Sequence, residues 1–141
     1  MAFIAYSSNG STPFQKLLGH NEKVMDSWNN LGGELEKDGF LSAELKEQVR
    51  RTLAQGNGCV YCKAKGKPDE KQYDEKIAVS VGFAQAFLTS KGQTSPTVVN
   101  VLKEYFSDEE ISELIAFICF TTASQYFGAL MQLEEVKGSY R

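Results

Sequence analysis

Residues 41–66, "LSAELKEQVRRTLAQGNGCVYCKAKG", hold both the pattern that decides the fold and the residues best suited to chemistry. Ser42 stands where an N-cap belongs, before a segment in which Leu45, Val49 and Leu53 recur every four residues, which gives a helix one apolar face. The "GNG" at 56–58 stops it. Glu47 therefore lies between two core positions of a helix that leads into Cys59 and Cys62. Asn57 and Gly58 introduce the cysteines, so the pattern predicts Cys59 in the first turn of a new helix that ends around Gly66 and Pro68.

The same periodicity extends in both directions. Upstream, Ser11 or Thr12 can cap a short helix with Pro13 at its first position, and "FQKLLGHN" turns at Gly19. From Asn21, the residues Val24, Trp28, Leu31 and Leu35 mark one helix face, with Gly39 as its end. Downstream, Ile77, Val81, Ala84 and Leu88 form a stripe that Ala78, Phe83 and Phe87 broaden, and Gly92 closes it. Ser95 and Pro96 start another helix, while Ser107 and Glu110 form a capping box ahead of "LIAFICF". No strand alternation of useful length interrupts this pattern, which predicts an all-α, single-domain bundle of about six or seven helices.

Composition narrows the function. The 141 residues are 42% hydrophobic, enough for one core, and carry 15 basic against 18 acidic side chains. The basic residues form no stripe, which argues against nucleic acid as a partner. No continuous apolar run approaches the roughly 20 residues of a membrane span, and "MAFIAYSSNG" lacks the charged start and apolar stretch of a secretory signal. The expectation is a cytoplasmic protein with no membrane partner.

Three cysteines are too few for a disulfide scaffold, and in a reducing compartment a close pair is more often catalytic or metal-binding. A helix N-terminus and the following Lys63, Lys65, Lys67 and Lys71 favour the thiolate, the reactive form. Two thiols three positions apart can also close and open a disulfide, with one attacking an oxidant and the other resolving the product. Zinc would need four ligands, and only Cys119 and His20 remain as soft donors, so no metal is expected. Cys119, within "LIAFICF", is expected to be an inert core residue, although two buried structural thiols is also the bland reading of Cys59 and Cys62.

These residues resemble the AhpD-like alkylhydroperoxidases of the carboxymuconolactone decarboxylase superfamily. The pattern of that family's redox branch is glutamate, eleven residues, cysteine, two residues, cysteine, three residues and histidine. Glu47 stands twelve positions before Cys59, and "GCVYC", with Tyr61 before the second cysteine, is similar to the family's cysteine segment. "DEKIAVSVGFAQAF" and "FSDEEISELIAFICF" look like its later helices, so the resemblance spans about residues 12–133 of one AhpD-like domain covering 1–141. The departure is Gly66, which stands where the family has the histidine that relays protons between glutamate and cysteine. The chain's one histidine, His20, lies far upstream in "LLGHNE".

The resemblance implies a thiol-dependent peroxidase or disulfide reductase built on Cys59, Cys62 and Glu47, with Tyr61, His20 and Lys63 as auxiliary candidates and no cofactor. Its partners are then a peroxide or disulfide substrate, an external dithiol reductant, and further copies of the chain as a homo-oligomer, a trimer or hexamer. Without the imidazole, Glu47 is left to act directly or through a water. Helix-dipole reasoning makes Cys59 the more exposed, exchanging thiol, whereas the family's geometry puts Cys62 deeper and assigns it the peroxide. Two other readings stand beside this one: a redox sensor or impaired relative that keeps the fold and disulfide without efficient turnover, and the superfamily's decarboxylation of a lactone acid. The broad apolar faces around "FQKLL" and Phe87 are compatible with assembly.

Overall fold

The computed structural model describes residues 1–135. Its order is α1 (Pro13–Leu18), α2 (Glu22–Glu36), α3 (Ala43–Gly56), α4 (Val60–Lys63), a 3₁₀ turn (Glu70–Gln72), α5 (Glu75–Ser90), α6 (Pro96–Tyr105) and α7 (Asp108–Leu130). These seven helices form a single-domain bundle, with no strand among the described residues.

The helices start where side chains can satisfy their unpaired amides. Thr12 and Gln15 make a capping box for α1, Asn21 caps α2, Ser42 caps α3, Ser95 precedes Pro96 at the start of α6, and Ser107 with Glu110 makes the capping box of α7. α3 is the organiser and packs chiefly on α5 and α7. Its Leu45, Val49 and Leu53 meet Ile77, Val81 and Ala84 of α5 and Leu114, Phe117 and Ile118 of α7 in the main core. Each such large side chain contributes about 1.5–3 kcal/mol by leaving water. A second, smaller cluster joins Leu17 of α1, Ala54 of α3 and Leu133 to Cys59, Tyr61 and Cys62. The cysteine segment therefore belongs to this second cluster and not to the main core.

Four expectations change. α2 buries Met25 and Gly32, with Trp28 and Leu35 partly covered, while Val24 and Leu31 face solvent. The buried face is rotated because Gly32 lies flat against Phe120, whose ring would meet an added Cβ at 3.2 Å. Second, the helix after Cys59 is a single turn, with Cys59 as its N-cap, so there is little dipole to act on a thiol. Third, Cys119 is exposed rather than part of the core.

The fourth concerns α7, whose 23 residues would suffice, by length and composition alone, to cross a membrane. The sequence hides this because Thr121, Thr122 and Gln125 break the apolar run. Those three are buried, and Gln125 bonds α3 from within the bundle.

Candidate functional site

Asn57 is the C-cap of α3, and Gly58 follows it at φ +77°, a left-handed conformation that turns the chain back across the helix. That turn delivers Cys59 to the start of α4, where its Sγ accepts the Cys62 amide at 3.1 Å. Cys59 and Cys62 are joined as a disulfide, with their Cα atoms 5.2 Å apart. A bridge across two intervening residues removes little freedom from the unfolded chain.

The two sulfurs have different surroundings. Cys59 is 1% exposed and lies against α7, whereas Cys62 is 8% exposed and lines a cleft of about 390 Å³. This reverses the expectation that Cys59 is the more exposed thiol, because the capping Cys59 side chain is turned inward to accept the Cys62 amide. The cleft lies between α1, α2, α4 and α7, and its walls include Trp28, Phe120 and Tyr61 with Arg50 and Lys65. Tyr61 is buried. Burial pushes its phenol above the ordinary tyrosine value, against the pull of a hydrogen bond with Thr12. Lys65 stands over its ring at 4.6 Å.

α3 supplies the charges. Both Glu47 oxygens are bound by Arg50, through Nε at 2.8 Å and Nη2 at 2.9 Å, and Arg51 Nε adds a third bond at 2.9 Å. The remaining arm of Arg50, Nη1, donates to the carbonyl of Cys62 at 3.4 Å. Glu47 is thus connected to the cysteine turn through a guanidinium. Bidentate arginine contacts of this kind fix the carboxylate as an anionic acceptor.

Position 66 is shaped for a residue without a side chain, not for the histidine that the resemblance would put there. Gly66 has φ +129°, which strains any L side chain, and an added Cβ would lie 3.4 Å from the Arg51 guanidinium. Arg51 also donates to the Lys67 carbonyl at 3.2 Å. The loop after α4 is therefore folded onto an arginine.

The other candidates are dispersed. His20 is exposed and its Nε2 meets the Ala5 carbonyl at 2.6 Å, and it does not line the cleft. Lys63 is exposed at the end of α4. Among the described residues no three of histidine, cysteine, aspartate and glutamate gather as a metal site.

Three site residues carry no motif. Arg50 and Arg51 sit in an unremarkable basic pair, and Gly128 lies inside α7, where a Cβ would stand 2.6 Å from Cys59 Sγ. A glycine within an apolar helix is the one available signal of such close approach. Gln125 completes the frame: its Nε2 donates to the Arg50 carbonyl and its Oε1 accepts from Asn57. No family model matches this chain, and no curated protein sequence matches it.

Proposed function

We propose that this chain is a thiol–disulfide oxidoreductase of the AhpD-like class, a peroxidase or disulfide reductase working through Cys59 and Cys62. The observation that carries the reading is a disulfide of which one member, Cys62, lines a cleft while the other, Cys59, does not. The resemblance of residues 41–66, with Glu47 in register, supports the class.

In the reduced protein the Cys62 thiolate attacks the terminal oxygen of a hydroperoxide. The O–O bond breaks, Cys62 becomes a sulfenic acid, and the leaving alkoxide takes a proton to become an alcohol. The Cys59 thiol then attacks the Cys62 sulfur, and the departing hydroxyl leaves as water. An external dithiol returns two electrons by attacking Cys62 from the cleft, forming a mixed disulfide that its second thiol resolves. With Cys59 at 1% exposure, both oxidant and reductant meet the pair at Cys62.

A second reading has its own support. Glu47 is engaged by two arginines and His20 by a backbone carbonyl, so no side chain of the motif is placed as a free base. On that reading the pair is a redox sensor that oxidises once and waits. The chain also acts as a homo-oligomer in this proposal, supported by an apolar outer face on α7.

Stoichiometric hydrogen peroxide added to the reduced protein, followed by intact mass, tests the proposal on the wild type, Cys59→Ser and Cys62→Ser. The expected result is rapid loss of two hydrogens in the wild type and a trapped sulfenic acid in Cys59→Ser alone. Oxidation no faster than a free thiol rejects the peroxidase; fast oxidation without steady-state turnover in the presence of a dithiol selects the sensor.

A further inference from the structure

We infer that Arg50 is the group that holds Cys62 as a thiolate in the reduced protein, taking by charge the part that an imidazole plays elsewhere by proton transfer. The inference rests on the redox reading above and names the device that activates its sulfur. Arg50 is a positioning residue that acts on Cys62 through its field and its bond to that residue's carbonyl.

The geometry singles Arg50 out. Its side chain is only 14% exposed, it lines the same cleft wall as Cys62, and Nη1 donates to the Cys62 carbonyl. Its other two nitrogens are fixed on Glu47, so the guanidinium has one orientation. The backbone above it is also tied, because the Arg50 carbonyl accepts from Gln125 of α7.

The remaining charges around the cysteine turn sort clearly. α3 contributes Glu47, Arg50 and Arg51; α2 contributes Glu36 across the cleft; the cysteine segment contributes Tyr61, Lys65 and the exposed Lys63; and on the side away from the cleft the Met1 amine, paired with Glu134, and Glu135 share a hollow with Gly58 and Val60. α7 lines the cleft with Thr121, Ser124 and Gln125, none of them charged. The single turn of α4 gives too little dipole to replace a cation. Glu47 opposes Arg50, since an anion bound to the guanidinium weakens its field at the sulfur.

That opposition makes the test two-sided. In a Cys59→Ser/Cys119→Ser background Cys62 is the sole thiol, and its rate of alkylation by iodoacetamide is followed against pH. The parent should reach half its maximal rate below the value of about 8.5 typical of free cysteine. Arg50→Gln should slow alkylation by about tenfold near pH 6, equivalent to one unit of midpoint. Lys103→Gln, a cation on α6 that does not line the cleft, should stay within about twofold of the parent.

Glu47→Gln decides the matter if Arg50→Gln fails to fold. Releasing Arg50 from its anion should accelerate alkylation about threefold at the same pH, whereas a glutamate acting as the base requires a slower reaction. An Arg50→Gln profile that superimposes on a folded parent, or a Glu47→Gln rate that is unchanged or lower, overturns the inference. Alkylation needs neither peroxide nor reductant. A chain that shows the arginine effect but is not oxidised by peroxide loses the functional reading and keeps this one.

Discussion

A Cβ at position 128 would stand 2.6 Å from Cys59 Sγ and 3.5 Å from Cys62 Sγ, so the missing side chain of Gly128 is what lets the disulfide lie on the α7 backbone. Gly128→Ala gains helix propensity of up to about 1 kcal/mol but overpacks the sulfur, and overpacking costs about 1–3 kcal/mol. The expected outcome is a net loss of about 1 kcal/mol in the oxidised protein, measured from its urea midpoint. A variant as stable as the wild type would mean that the bridge shifts without cost. At this scale the sequence discloses residues whose identity alone implies chemistry. The pairing of Cys59 with Cys62 was legible by type and spacing and Glu47 was singled out only by the resemblance, whereas Arg50 and Gly128 acquire meaning only from contacts with Cys62 and Cys59 that lie 12 and 69 positions away.

Between elements, the tie of α3 to the start of α7 is a buried charge. Lys46 is 1% exposed, and its Nζ donates to the Lys37 carbonyl at 2.7 Å and pairs with Glu113 at 3.1 Å. Burial pushes the Glu113 carboxyl up, but the Leu41 amide and Lys46 outweigh it and hold the group below its ordinary 4.5. A carboxyl lowered by folding stabilises the protein above its unfolded value, and that contribution is lost as pH falls through the lower, folded value. Unfolding midpoints should therefore decline as pH drops below about 4.5, and Glu113→Gln should flatten that decline while lowering stability at neutral pH. Lys46→Met should cost about 3 kcal/mol, the low end for breaking a buried pair, because Glu113 still reaches water. The helix starts were readable since caps are local chemistry. The face of α2 was not, because Gly32 carries no hydrophobic signal and is buried by the aromatic ring that its lack of a side chain admits.

For the whole molecule, the unresolved quantity is apolar surface. The expected surplus around "FQKLL" is absorbed, with Leu17 and Leu18 buried, and Phe87 packs against the main core. It reappears on α7, where Ile115 and Tyr126 are each 38% exposed, Leu130 is 77% exposed, and Cys119 lies on the same side. Residues 115, 119, 126 and 130 fall at helical spacing, so they form one stripe along the outside of the bundle. Two copies meeting across a twofold axis would bury each member of such a stripe twice, and Ile115 and Tyr126, already more than half covered, would return only a fraction of the about 1.5–3 kcal/mol of a fully exposed side chain. In the proposed homo-oligomer this stripe is the face that a second copy would cover. Light scattering on the reduced protein should find an oligomer. Ile115→Glu should raise its dissociation constant at least about tenfold, a change of about 1.4 kcal/mol, without loss of helix content. Keeping the protein reduced separates packing from any bridge through Cys119, since a dimer that dissociates on reduction depends on that thiol and not on the stripe. A monomer at all concentrations would assign the α7 face to solvent and remove assembly from the proposed function.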